Sequence, residues 1–296
     1  MYIWSFCKSI LRPKNILPAI YFLINAVIVF FIFAILPFQI VEDSTMNFVY
    51  MGLIGLAVNL VFILISLTPF GEAIWRLRNR IKKAPEAALE SQWIMANEVF
   101  EEVKEKANSI SRSVSKKVKL YYDDSDDLNA FALGHRTVIV TRGMLSQANP
   151  DILKGVLAHE LGHIAHGDSD LKLGINVSNS ILIIFLTIVN IINNFIIGLF
   201  LSTNSSIIHI LAMILKFVFG ILLIGLFKVW NWIGTLCINW SSRKAEFAAD
   251  SYAKELGYGE ELEIFLRCID DKVKTNKFSL MFQTHPDTGD RLSNLA

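Results

Sequence analysis

Four long apolar stretches dominate the pattern of hydrophobic and polar positions along the chain. The first two cover residues 16–38 and 48–70 and contain no charged residue. Each is longer than the roughly 20 apolar residues that an α-helix needs to cross the hydrocarbon core. The first exceeds the apolar region of a secretory signal peptide and has no small-residue cleavage site after it, so we expect a retained anchor. The two stretches predict a transmembrane hairpin over residues 16–70.

The third and fourth stretches, residues 175–201 and 207–233, also carry polar side chains. These are Asn190, Asn193 and Asn194 in the third stretch and Lys216 and Lys228 in the fourth. Amides can bond between helices in lipid, and an intramembrane lysine reaches the interface or faces a polar cavity. We predict a second transmembrane hairpin over residues 175–233. The alternative is a hairpin that is partly interfacial or packed against protein.

The distribution of basic residues orients both hairpins. The loops inside the hairpins, residues 41–47 and 202–206, contain no lysine or arginine. Basic residues flank the other ends: Lys8, Arg12, Lys14, Arg76, Arg78, Arg80, Lys82, Lys83, Lys172, Arg243 and Lys244. The positive-inside rule therefore predicts a multi-pass membrane protein with both termini and all of the charged, polar sequence in the cytosol.

The polar sequence predicts one mainly helical α+β domain made of two pieces. The pieces are residues 71–174 and 234–296, and a short N-terminal segment covers residues 1–15. Together the two pieces give roughly 150 residues, enough for a domain with its own core. An amphipathic helix is predicted from Pro85 onward, and strands with Asp and Asn turns over residues 117–145.

A further helix is predicted over residues 149–167. Asn149 or Asp151 can cap its start, and Pro150 suits its first turn. Gly167 suits its end, because glycine readily adopts the left-handed conformation that closes many helices.

Composition and charge exclude several classes of protein. The mean hydropathy is +0.46 and 53% of the 296 residues are hydrophobic, against roughly 45–50% in globular domains. The net charge of +1 argues against a nucleic-acid partner, because a phosphate footprint needs a clustered basic surface. Cys7, Cys237 and Cys268 form no C-x-x-C pair, which excludes a disulfide framework and a cysteine-based zinc ribbon.

Residues 158–168, A-H-E-L-G-H-I-A-H-G-D, contain the motif H-E-x-x-H. His159 and His163 are four residues apart on the predicted helix, so both imidazoles lie on one face and can share a metal ion. Glu160 points about 100° round the helix, where it can take a proton from metal-bound water. Imidazole suits zinc, and an open coordination position marks a catalytic site. The alternative is a chance pair of helix histidines, since the motif alone is moderately specific.

His166 lies on the same stripe of the helix but is excluded as the third ligand. It is about 10 Å along the axis from His159, at a rise of 1.5 Å per residue. A zinc–nitrogen bond is only about 2.1 Å long. The third ligand must therefore come from another element.

The candidate for that ligand follows the fourth apolar stretch. Glu246 and Asp250 are four residues apart and share a helix face, with Arg243 one turn earlier. Glu246 would complete a His-His-Glu set. Asp250 would accept the second imidazole N–H of His159 and fix its tautomer, with Arg243 nearby. Alone, this pattern is more typical of a solvated face, but here it accompanies H-E-x-x-H.

Together these motifs resemble the M48 family of membrane metallopeptidases, and within it the HtpX-type heat-shock endopeptidases. The likeness extends over essentially the whole chain in one order. It comprises two spans, N-A-F-A at 129–132, H-E-L-G-H with G-D after it, two more apolar segments, R-x-x-E-F-x-A-D at 243–250, and H-P…R-L at 285–292. The resemblance implies a zincin-like metallopeptidase domain combined with four transmembrane or membrane-embedded helices. One departure is Asp287, where related sequences usually carry a second proline.

The resemblance also implies roles for single residues. The implied ligands of one Zn²⁺ per subunit are His159, His163 and Glu246. Glu160 is then the catalytic base, and Asn129 holds substrate backbone. His285 and Arg291 are expected close to the metal, where either could stabilise the oxyanion.

The pattern of strands suggests where substrate would bind. We predict that substrate lies extended along an edge strand at residues 137–141, with Asn129 at its end. The expected contacts on that strand are Val138, Ile139 and Val140. The same residues suit a core strand equally well.

The leading hypothesis is a zinc endopeptidase of the bacterial cytoplasmic (inner) membrane that cleaves misfolded membrane proteins or unfolded polypeptides on the cytosolic side. The quality-control and stress-response role comes from the resemblance alone. Two alternatives stay open: a processing peptidase for prenylated C-terminal peptides, and a non-catalytic membrane scaffold with a structural metal. The expected partners are polypeptide substrates and the lipid bilayer, without nucleic acid, and a homo-oligomer is compatible with the sequence.

Overall fold

A computed structural model describes residues 2–36, 40–110, 114–202, 205–273 and 288–295. The chain divides into two compact units. The first comprises Met1–Ala19, Leu64–Gly174 and Ile238–Ala296, and the second comprises Ile20–Ile63 and Ile175–Cys237.

The described residues are mainly helical, with a small sheet. The helices are α1 (Tyr2–Ile10), α2 (Ile16–Ala34), α3 (Ser44–Ser66), α4 (Pro69–Arg78), α5 (Glu90–Ile110), α6 (Arg142–Gln147), α7 (Pro150–His166), α8 (Asp168–Ser178), α9 (Ser180–Leu201), α10 (Ser206–Phe219), α11 (Leu226–Glu255), α12 (Gly259–Val273) and α13 (Thr288–Leu295). The strands are β1 (Lys119–Asp123), β2 (Ala130–Leu133) and β3 (Thr137–Thr141). The mainly helical α+β class is confirmed.

The sheet has the order β1–β3–β2. β3 pairs parallel with β1 and antiparallel with β2, and every residue of β3 is buried. The prediction that residues 137–141 form an edge strand is therefore wrong, because partners on both sides already use the β3 backbone. Val138, Ile139 and Val140, predicted to contact substrate, lie in the core with 0% of their surface exposed.

A buried carboxylate holds the turn between β2 and β3. The backbone N–H of His135 donates to Oε1 of Glu72 at 2.8 Å, and the Thr137 hydroxyl donates to Oε2 at 2.8 Å. Gly134 has φ 59°, and a Cβ there would come within 2.6 Å of Glu72. Burial raises the pKa of Glu72, although these hydrogen bonds and Arg76 oppose the rise. The turn thus fixes the position of β2, which faces the site described below.

The helix with the H-E-x-x-H motif begins and ends as its sequence predicts. Asn149 caps α7 by accepting the N–H of Ile152 at 2.8 Å, and Pro150 occupies its first turn. Gly167 ends it with φ 72°, in the left-handed conformation. These local signals stand at the two ends that the sequence predicts for the helix.

Glycines let α7 approach its neighbours closely in the core of the first unit. A Cβ on Gly155 would lie 2.4 Å from the backbone nitrogen of Leu262 in α12. A Cβ on Gly162 would lie 3.0 Å from Cα of Ala249 in α11. The second contact brings α11 against the motif helix, one turn from Glu246.

Gly155→Ala is expected to lower the stability of the first unit by about 1–3 kcal/mol, the usual cost of overpacking a core. The added methyl group meets the backbone of α12, which cannot rotate away as a side chain can. Thermal unfolding of the purified chain measures the effect. Gly198→Ala is the matched control, because a Cβ on Gly198 in α9 meets nothing within 4 Å. Equal melting temperatures for the two variants would contradict the close approach.

Three segments of the described chain are long and apolar enough to cross a membrane: Pro13–Ala34, Ser44–Ser66 and Asp168–Leu201. They correspond to the first three predicted stretches. The fourth stretch forms the shorter helix α10, a π-helical segment over Gly220–Gly225 and the first part of α11. Four spans are thus not confirmed, and the fourth stays a prediction.

Polar side chains in the second unit pair with one another. The amide of Asn25 donates to the carbonyl of Ser178 at 2.9 Å, where α8 ends, and its oxygen accepts from the Trp230 indole at 3.2 Å. The Tyr21 hydroxyl donates to Asn179 at 2.9 Å. In an apolar environment such pairs join helices and satisfy backbone groups freed at a helix break.

Candidate active site

Two helices bring three candidate metal ligands together in the first unit. Nε2 of His159 lies 3.2 Å from Oε2 of Glu246, and Nε2 of His163 lies 3.3 Å from Oε1. One ligand atom from each of the three residues lies within 4.8 Å of the others, and all three residues are buried. His159 and His163 come from adjacent turns of α7, and Glu246 comes from α11.

The donor set fits zinc. Zinc prefers four ligands in a tetrahedron, with bonds of about 2.0–2.2 Å to imidazole nitrogen and carboxylate oxygen, so neighbouring donor atoms stand about 3.4 Å apart. The two nitrogen–oxygen distances, one to each carboxylate oxygen of Glu246, are close to that spacing. Three protein ligands leave one position for water or substrate, as in catalytic rather than structural zinc sites.

Glu160 is buried beside the ligand pair and contacts β2. Its Oε2 accepts the backbone N–H of Ala132 at 2.8 Å. This hydrogen bond joins the predicted catalytic base to β2, which lies at one edge of the sheet. The contact between Glu160 and a backbone amide of β2 could not be found from the H-E-x-x-H spacing.

A buried arginine and a buried aspartate contact the candidate ligands His159 and Glu246. Oδ1 of Asp250 lies 2.8 Å from Nδ1 of His159. Arg291 in α13 donates two hydrogen bonds to Asp250, at 2.6 and 2.9 Å. Its Nη1 also lies 3.3 Å from Oε2 of Glu246. Although burial favours the neutral acid, hydrogen bonds from His159 and Arg291 hold the pKa of Asp250 below its usual value.

The second histidine also has an acidic neighbour. Oδ2 of Asp168 lies 3.8 Å from Nδ1 of His163. Burial opposes the charged form of the ring, but Glu246 and Asp168 raise the pKa of His163 to about 9. Asp168 directly follows Gly167, the glycine that ends α7. In the sequence, Asp168 is marked by the pair G-D that comes after the H-E-x-x-H motif.

Three more residues were predicted for the site: Asn129, Arg243 and His285. Asn129 directly precedes β2, and its carbonyl accepts the N–H of Thr141 at 3.1 Å. The Arg243 side chain is exposed. His285 lies outside the described residues. The roles predicted for these three residues, and the oxyanion role of Arg291, stay predictions.

The region that matches known proteins contains the same motifs. The family model for peptidase family M48 matches residues 94–296. The chain belongs to this family. The match includes both motif helices, and the M48 assignment agrees with the resemblance predicted from the sequence.

Similar M48 proteins carry the name protease HtpX. The chain is 29% identical over 205 residues to protease HtpX of Wigglesworthia glossinidia brevipalpis, covering 58% of this chain and 64% of that protein. It is 30% identical over 193 residues to the protease HtpX homolog of Bacillus subtilis, covering 58% and 60%. The chain thus spans less than two thirds of the length of these relatives.

A solved structure is also similar to this M48 chain. The crystal structure of Ste24p from S. mikatae is 21% identical, with a TM-score of 0.40, covering 92% of this chain and 61% of that one. Family membership and the apolar helices together support a membrane metallopeptidase.

Proposed function

We propose that the chain is a zinc-dependent endopeptidase of the cytoplasmic membrane, which cleaves misfolded or damaged membrane proteins on the cytosolic side. The observation that carries the proposal is the convergence of His159, His163 and Glu246 from two helices, with Glu160 beside them. The cytosolic orientation rests on the distribution of lysine and arginine. The quality-control role is what the resemblance of the sequence motifs to HtpX-type heat-shock endopeptidases implies.

The residues of the site suit peptide hydrolysis. Bound zinc supplies the Lewis acidity that makes water nucleophilic near neutral pH and polarises the scissile carbonyl. Glu160 takes the proton from the attacking water and passes it to the leaving amine. Asp250 contacts Nδ1 of His159 and would leave Nε2, the nitrogen that faces Glu246, to hold zinc.

The outer edge of β2 is the best-supported substrate position. In an antiparallel pair, alternate residues direct their N–H and C=O groups away from the partner strand. The Ala132 N–H points to Glu160 and not to β3, so by the same alternation the backbone of Ala130 also points outward. An extended peptide added along this edge would run past Glu160 and the metal ligands. Asn129, one residue before β2, would contact the same peptide.

Removal of zinc is expected to abolish cleavage, and its return to restore it. The purified chain is dialysed against a chelator, and cleavage of an unfolded membrane polypeptide is measured before and after zinc is added. Because bound metal needs a neutral His163, whose pKa is about 9 without metal, zinc binding should weaken as the pH falls below that value. Undiminished cleavage by the metal-free chain would contradict the proposal.

The choice of substrate tests the proposal against its alternatives. A farnesylated C-terminal peptide is offered in parallel with the unfolded polypeptide. Preference for the farnesylated peptide would instead indicate a prenyl-processing peptidase. A zinc ion held without any cleavage of either substrate would indicate a structural metal.

A further inference from the structure

Two cations that precede α2 lie at the C-terminal end of α7. Nη1 of Arg12 donates to the carbonyl of His166 at 2.7 Å. Nζ of Lys14 donates to Oδ1 of Asp168 at 2.8 Å. Both partners are more than 150 residues away in sequence. Neither cation belongs to a motif that the proposed reaction uses.

Asp168 connects Lys14 to a metal ligand. Its carboxylate is buried, with Oδ1 bound by Lys14 and Oδ2 at 3.8 Å from Nδ1 of His163. The other ring nitrogen of His163, Nε2, faces Glu246 at 3.3 Å. The carboxylate thus stands on the side of the ring opposite the metal position. Oδ2 of Asp168 and Nδ1 of His163 are at ion-pair rather than hydrogen-bond distance, and an acid on that side of a ligating histidine favours one orientation of the ring.

Lys14 donates to this buried carboxylate and supplies a counter-charge for it. A buried carboxylate without a counter-charge turns toward water or takes up a proton. Lys14 is itself mostly buried, with 14% of its side chain exposed. Arg12 adds a positive charge at the C-terminal end of the helix dipole, in the turn that carries His163.

We propose that Lys14 is a positioning residue of the metal site, which acts on His163 through Asp168. The segment that precedes α2 would then contribute to the metal site. The inference rests on the proposed function to the extent that His163 binds zinc.

Zinc affinity of the full chain in detergent is the measurement, made by competition with a chromophoric chelator. Lys14→Met is expected to weaken zinc binding about 10-fold, the lower end of the loss typical for outer partners of metal ligands. Lys14→Arg should restore most of the affinity, because it returns the charge. Lys8→Met is the matched control: it lies in the same N-terminal segment, and its side chain is exposed. The absorption spectrum of the cobalt-substituted chain should change in Lys14→Met and not in Lys8→Met.

A double-mutant cycle tests the connection through Asp168. Asp168→Asn keeps the side-chain shape and should weaken zinc binding at least as much as Lys14→Met. The double variant should bind zinc no more weakly than Asp168→Asn alone, since both changes break one chain of contacts. Additive losses would overturn the inference. Should Lys14→Met not fold, unchanged zinc affinity in Asp168→Asn would overturn it equally.

His163→Ala separates this inference from the proposed function. If wild type and His163→Ala bind zinc equally, the proposed metal site fails. If wild type binds zinc through His163 and Lys14→Met matches Lys8→Met, only the role of Lys14 fails.

Discussion

Glu160→Gln is expected to lower kcat by about 10²–10⁴-fold, the usual contribution of general acid–base catalysis, while zinc content stays at the wild-type level. Glutamine has nearly the same shape and can still accept the Ala132 N–H that Glu160 accepts at 2.8 Å. It cannot take a proton from water. The three proposed metal ligands are unchanged, so the loss should fall on the chemical step.

The measurement pairs a cleavage assay with metal analysis of the same preparation. Glu98→Gln is the matched control, because Glu98 is exposed on α5 and far in sequence from the motif. We expect Glu98→Gln to cleave at the wild-type rate. Residual cleavage by Glu160→Gln within a few-fold of wild type would exclude Glu160 as the base.

Local sequence patterns predicted α7 and its ligand pair because each signal acts over a few residues. The Asn149 cap, the Gly167 end and the four-residue spacing of His159 and His163 need no knowledge of the rest of the chain. Glu246 could be proposed because its spacing to Asp250 repeats the same one-turn logic on a second helix. The M48 resemblance joined the two helices across the apolar segments between them.

The order of the strands could not be predicted in the same way. Residues 137–141 have the apolar character of a buried strand, and only pairing with β1 on one side and β2 on the other makes β3 central. Pairing depends on residues far apart in sequence, which a local pattern does not report. The same holds for Lys14 and Asp168, which no spacing rule connects.

Substitution of Arg291 is expected to lower both the stability of the chain and its zinc affinity. The sequence suggested an oxyanion role, whereas the described contacts direct its guanidinium to Asp250 and Glu246. Arg291→Leu would leave two buried carboxylates without their cation. Breaking a buried pair in this way costs about 3–5 kcal/mol, and zinc affinity should fall with the displaced Glu246. Arg291→Lys should recover part of both, since it keeps the charge but not the two-pronged contact with Asp250.

Thermal unfolding and zinc competition on the same samples distinguish the two roles of Arg291. A positioning role predicts that melting temperature and zinc affinity fall together, whereas an oxyanion role predicts that both stay near wild type while kcat falls. Arg267→Leu is the matched control, because Arg267 is an exposed arginine of α12 whose described ion pair is with Glu263 on the same helix. Arg291 contacts Glu246, a proposed ligand, and Asp250, the partner of His159. We therefore expect melting temperature and zinc affinity to fall together. A variant Arg291→Leu that is stable and zinc-loaded but inactive would instead support the oxyanion role of Arg291.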